Sequence, residues 1–232
     1  SRNQILKASN IYLFGAFFVG ALCMILTLNS PKDLVAQIEQ LILIEPRFSP
    51  IYARAGVPDL RRQKGGFSQL MRAIVGQQLS VAAANSIWEK LDQSKLISAH
   101  TINQATDDTL RSHGLSKQKI RYIRSLIAHD IDFDSLKQLP DDEVIKTLTA
   151  VTGIGVWTAE MYMLFSLGRA DILAVDDLAV KVSIMDLLNL TTRPTAKQLT
   201  TLTSHWSPYR SAASLLLWEH YGWLKDRDAV PM

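Results

Sequence analysis

Two short groups of residues carry backbone and side chains suited to chemistry. Gly153-Ile154-Gly155 lies between two stretches of helical periodicity, and Asp176-Asp177 follows some twenty residues later. Glycines in so short a connection permit positive φ and leave backbone N–H groups uncovered, and N–H groups at a helix N-terminus attract an anion. A phosphodiester is such an anion, and the acidic pair sets a carboxylate near it. Each group also has a plainer reading. Gly-Ile-Gly serves equally as an ordinary helix connection, and an aspartate before the apolar run from Leu178 caps a helix or complements its dipole. The two acidic roles can coexist, with Asp176 as the cap and Asp177 inside a site.

The elements that must position these residues read as helices. Apolar residues recur at helical spacing through 31–44, 66–75, 81–91, 106–113, 117–129, 132–138, 141–151, 157–167, 178–188, 195–205 and 209–221. No alternating run between turn signals reads as a strand hairpin, and there is no tandem repeat or low-complexity linker. The expected fold class is therefore all-α. The chain has 232 residues, 47% of them hydrophobic, which is enough for one large or two small cored units.

A net charge of +3 suits a polyanionic partner without requiring one. The cationic groups Arg61-Arg62-Lys64 and Lys117, Lys119, Arg121, Arg124 serve equally as solvated faces or phosphate contacts. A single cysteine, Cys23, excludes an intrachain disulfide framework and a four-cysteine iron–sulfur cluster. Residues 11–28 carry no charge and follow Arg2 and Lys7, the pattern of a marginal membrane span or a signal-peptide core.

The segment LTAVTGIGVWTAEMYMLFSLGRADILAVDDLAVK, residues 148–181, resembles the helix-hairpin-helix and following acidic loop of the base-excision DNA glycosylase superfamily, HhH-GPD. It is most similar to the 3-methyladenine DNA glycosylase II branch, whose pattern is roughly PGIGPWTA followed by PVDDLA. Three more segments match in the same order. FSQLMRAIVGQQLSVAAANSIWEKL, 67–91, resembles the helix-loop-helix facing the minor groove. GLSKQKIRYIRSLIA, 114–128, resembles the helix leading to the hairpin, and WSPYRSAASLLLWEHYGW, 206–223, the C-terminal helix. Val151-Thr152 and Ala174-Val175 depart from the prolines common in the family, which removes backbone rigidity but no reactive group.

The resemblance implies two helical lobes with an active site in the cleft between them. Residues 31–232 would form the glycosylase domain, with a middle lobe of about 64–168 and the other lobe from 31–63 plus 169–232. Residues 1–30 are an apolar N-terminal segment, and MILTLNSPKDLVAQIEQL resembles a family N-terminus. The expectation is a native start at Met24, with 1–23 upstream or added sequence and a membrane role unexpected.

By the same resemblance Asp177 is the catalytic carboxylate. It stabilises the oxocarbenium-like sugar as the base departs, and a cationic purine needs little protonation to leave. Trp157 stands where lyase-type relatives carry a lysine, so no imine and no strand cleavage are expected. Trp157, Met161 and Trp218 are the expected base pocket, where each aromatic face contributes about 0.5–2 kcal/mol toward a cationic base. Gln78, or Leu79, is the expected wedge filling the gap left by the flipped base. Gly153, Gly155 and Thr158 are expected to meet DNA at the hairpin.

No cofactor is expected. A structural sodium or potassium ion is implied on the backbone carbonyls of Thr149, Val151 and Ile154, and no iron–sulfur cluster. The expected substrate is damaged double-stranded DNA, bound by a monomer located with the nucleoid in the cytoplasm if the source is bacterial. Other lesions of the same superfamily, and a non-catalytic module that binds DNA structure, are the competing readings.

Overall fold

A computed structural model describes residues 26–229, and among these the regular structure is helical apart from one isolated bridge. The order begins with α1 (Pro31–Ile44), α2 (Phe48–Ala55), α3 (Phe67–Gly76), α4 (Val81–Gln93), α5 (Ala99–Gln104), α6 (Asp107–Ser112) and α7 (Lys117–Ala128). It continues with α8 (Asp141–Thr149), α9 (Val156–Tyr162), α10 (Leu178–Leu187), α11 (Ala196–Leu202) and α12 (Arg210–Ala229). Short side chains set most of the starts. Ser30, Ser80, Ser98, Thr106, Ser116 and Thr195 each accept the backbone N–H three residues on, and Ser30 is joined by Asp33 in a reciprocal capping box.

Some expected helices are shorter or different. The stretch 132–138 holds only a 3-10 turn at Ser135–Lys137. Asp132 Oδ1 accepts the N–H groups of Asp134 and Ser135 at 3.1 and 3.2 Å and diverts the backbone from a helical ladder. The stretch 157–167 is α-helical to Tyr162 and then widens into a π-turn, Met163–Leu167, closed by Gly168 at φ 71°. A Cβ on Gly168 would meet Arg62 Nη1 at 2.7 Å and the Leu28 carbonyl at 2.9 Å.

Two hydrophobic cores form. One collects Leu70, Ile74, Ile102, Ile123, Leu148 and Met163, contributed by α3 through the π-turn. The other collects Leu34, Ile38, Phe48, Ile184, Trp206 and Leu216 from both ends of the described chain. Phe165 and Trp218 pack against both. The crossover from the first core to the second, 168–175, is pinned on both sides. Residues 26–28 pair with it through Leu28 N–H to the Gly168 carbonyl (2.6 Å) and Ala170 N–H to the Leu26 carbonyl (3.1 Å).

On its other side lie the small residues that open α12. Ser211 Oγ accepts the Ile172 N–H (2.9 Å) and donates to the Arg169 carbonyl (2.7 Å), and Ser214 Oγ donates to the Ile172 carbonyl (2.8 Å). Arg169, 1% exposed, donates through Nη2 to the Leu136 and Leu139 carbonyls at 3.0 and 2.7 Å. Asp171 binds Arg210 through two contacts of 2.6 and 2.7 Å.

The expectations for residues 1–23, for Met24 as the start and for most of the apolar run lie outside the described residues. Among the described residues no helix is long and apolar enough to cross a membrane.

Candidate functional site

Asp177 ends the pinned crossover and begins α10. Its N–H donates to the Ala174 carbonyl (2.9 Å), its backbone is extended at φ −67° and ψ 130°, and its Oδ1 accepts the Val180 N–H at 3.1 Å. Asp177 is thus the N-cap, and this corrects the expectation that Asp176 has that role. Asp176 sits one residue before the cap, exposed, and pairs with Lys181 Nζ at 2.9 Å. The Asp177 N–H, donating to the Ala174 carbonyl, holds Asp177 rather than Asp176 at the place a cap must take relative to the first helical amides.

Two indoles hold the same carboxylate. Trp157 Nε1 donates to Oδ2 at 3.0 Å and Trp218 Nε1 to Oδ1 at 3.4 Å. Asp177, Trp157, Trp218, Met161 and Thr158 line a single cavity of about 940 Å³. Trp157 remains 47% exposed, so its ring face is open to an incoming ligand, whereas Trp218 is half-buried and stacks on Phe165 (centroids 5.9 Å, 25° between planes). Phe165 and Tyr162 also line the cavity and were absent from the sequence reading. Their places in an apolar helical run give no sign of which face meets a cleft.

The hairpin joins α8 to α9. Gly153 has φ 95°, and a Cβ there would fall within the Tyr122 ring, so both backbone and space require glycine. Gly155 is different. It is the extended N-cap of α9 at φ −91° with open space around its Cα, so neither consideration demands glycine there. No side chain caps α9, and its first-turn amides, including that of Thr158, are left to an external acceptor. The Val151 carbonyl accepts the Ile154 N–H at 3.0 Å and closes the turn, while Thr149 Oγ1 turns back to the Ile145 carbonyl at 2.7 Å. Among the described residues no group of three His, Cys, Asp or Glu side chains is arranged to hold a metal ion.

The loop between α3 and α4 faces the hairpin. Gln77 Nε2 donates to the Gly153 carbonyl at 2.8 Å, and Lys119 Nζ donates to the Val75 carbonyl at 2.6 Å. Gln78 is exposed and held at φ 55°, a left-handed conformation that costs a non-glycine residue energy. It lines both the main cavity and a smaller one of about 330 Å³ on the Tyr122 side. Leu79, 40% exposed, lines only the smaller cavity.

Glu160 had no place in the sequence reading. It lies one turn beyond Trp157 on α9 and is 9% exposed. Burial, then the charges of Asp176 and Asp177, push its carboxyl up to about 7.

A helical hairpin with uncapped amides, set beside a carboxylate on the wall of an aromatic-lined cleft, defines a helix-hairpin-helix protein of two helical lobes. The chain belongs to the HhH-GPD superfamily of base excision DNA repair proteins, whose model matches residues 71–208. Among its relatives, DNA-3-methyladenine glycosylase 1 of Schizosaccharomyces pombe is 30% identical over 166 residues, covering 68% of this chain and 73% of that protein. The alkylbase DNA glycosidase-like protein mag2 of the same yeast is 29% identical, covering 66% and 76%.

The solved structure of a DNA-3-methyladenine glycosidase from Bacillus halodurans superposes with a TM-score of 0.76 at 33% identity, covering 87% of this chain and 94% of that one. The S. pombe 3-methyladenine DNA glycosylase in complex with abasic DNA gives 0.66 at 26% identity, covering 79% and 95%.

Proposed function

We propose that this protein is a monofunctional DNA glycosylase that flips alkylated purines such as 3-methyladenine and 7-methylguanine out of duplex DNA and releases them by hydrolysis. The observation that carries this reading is the Asp177 carboxylate, fixed on the cavity wall by Trp157, Trp218 and the Val180 amide. The names of the relatives support alkylated bases as the substrate class and DNA as the partner.

As the C1′–N bond breaks, its electron pair leaves with the base and the sugar becomes positive. A carboxylate already oriented by three donors stabilises that charge with little reorganisation. Water then bonds C1′, its proton passes to solvent, and an abasic site remains. A purine that is cationic beforehand leaves as a neutral molecule, so one carboxylate suffices. Trp157 supplies an indole where a nucleophilic amine would be needed for an imine, which favours hydrolysis over strand cleavage. Gln78, strained and exposed beside the cavity, is the wedge in this reading, and the first-turn amides of α9 with Gly153 and Gly155 meet a phosphate.

In this reading the backbone carbonyls of Thr149, Val151 and Ile154, at and beyond the C-terminal end of α8 where the helix dipole is negative, would hold a monovalent cation. Such an ion would supply fixed positive charge toward the backbone of the DNA. The protein is expected to act as a monomer.

Single-turnover release of 7-methylguanine from duplex DNA tests the reading. Asp177→Asn should slow release about 100- to 1,000-fold, the scale of losing one preorganised electrostatic contact. Asparagine caps helices as well as aspartate does, so the melting temperature should hold nearly steady. Equal rates for the two proteins would remove Asp177 from the chemistry, and a borohydride-trapped adduct would refute the monofunctional assignment.

A further inference from the structure

The cavity has a second polar surface that this chemistry leaves unused. Phe165 lies in the π-turn, and its carbonyl accepts both the Gln63 N–H (3.0 Å) and Arg62 Nη1 (2.8 Å). The segment leading to α3 is therefore tied to the residue that stacks on Trp218. Gln69, on α3, donates through Nε2 to Gln63 Oε1, and both side chains line the cavity with Asp177. The pair leaves the Gln63 NH2 and the Gln69 carbonyl oxygen bonded to no other group among the described residues. The aromatics of this cavity grip a base by its faces, whereas adjacent carboxamides present donors and acceptors that match a base edge.

We infer that Gln63 and Gln69 are specificity-determining residues that read the hydrogen-bonding edge of the extruded base, and that their contribution falls on neutral purine lesions. The inference rests on the glycosylase reading above. A cationic purine departs neutral and gains little from an edge contact. A neutral purine takes the electron pair of the breaking C1′–N bond and departs as an anion, while water bonds C1′ and gives up the proton that the base later recovers from solvent. An amide N–H aimed at an acceptor on that base stabilises the growing negative charge. Aromatic stacking works in the opposite direction, favouring the cationic class.

The test compares single-turnover release of hypoxanthine and of 7-methylguanine from otherwise identical duplexes by the parent protein, Gln69→Leu and Gln63→Leu. Leucine keeps the volume and removes the hydrogen bonds. Hypoxanthine release should fall about tenfold or more in Gln63→Leu, the scale of one hydrogen bond to a developing charge, and should also fall in Gln69→Leu, which frees the Gln63 carboxamide from the partner that orients it, while 7-methylguanine release stays within about twofold in both. The 7-methylguanine rate also reports that each variant is folded. Equal loss on both bases, or loss on neither, overturns the assignment. A parent that releases 7-methylguanine but not hypoxanthine overturns this inference alone, and one that releases neither overturns the glycosylase reading with it.

Discussion

The Asp177 carboxylate accepts one hydrogen bond from the backbone of its own helix and two from indoles that face the cavity. Capping and site geometry therefore reside in one side chain, and the helix start fixes where the carboxylate points. Beside it, Glu160 is buried with its carboxyl pushed up to about 7. In the unfolded chain that carboxyl titrates near 4.5, so the folded state holds the proton more tightly. Stability contributed by this residue therefore falls as pH rises from about 4.5 to about 7. Glu160→Gln, which mimics the protonated form, should be more stable than the parent at pH 8 by up to about 3 kcal/mol, with little gain near pH 4.5. Urea denaturation at both pH values measures this; a gain of the same size at each would mean that Glu160 is not the titrating group.

At the scale of elements, the hairpin is the part most fully written into local sequence. Its flanking helices follow from apolar spacing, and Gly153 follows from a backbone at φ 95°. What local sequence withholds is that Tyr122 of α7 covers the turn, an approach that makes any Cβ at 153 clash. Gly153→Ala should cost about 2 kcal/mol or more from backbone strain and this contact together. Calorimetry should show the lower melting temperature, with weaker binding to undamaged duplex as the Gln77 bond to the turn is displaced. Unchanged stability would place the strain elsewhere. Helices α2 and α5 escaped the sequence reading for ordinary reasons. Pro50 falls in the first turn of α2, where its missing N–H is harmless, and α5 buries a single apolar side chain, Ile102, among polar neighbours.

At the scale of the molecule, two cores meet at Phe165 and Trp218, and the cavity opens beside that junction. Packing and substrate binding are coupled there. Phe165→Ala should destabilise the protein by about 3 kcal/mol through lost packing on both cores. It should also slow release of 7-methylguanine, because Trp218 loses the ring it rests on. Thermal denaturation and single-turnover kinetics on the same preparation check both halves; loss of stability with full activity would separate the junction from the site.

Periodicity, glycine placement and the order of four motifs sufficed for the helical class, the hairpin and the acidic pair, because each depends on neighbours within a turn or two of helix. Trp157, Met161, Trp218 and Asp177 are also named by those motifs, and they lie on one cavity. Which aspartate caps α10 needed the crossover to be pinned by Ser211 and Ser214, some forty residues away, since a one-residue change of register exchanges the two acids. Phe165, Tyr162, Gln63 and Gln69 join the cavity only when the segment before α3 docks on the π-turn. The burial that raises Glu160 is of the same kind. Contacts between residues far apart in sequence are set by how the two cores close on each other, and no local pattern records that.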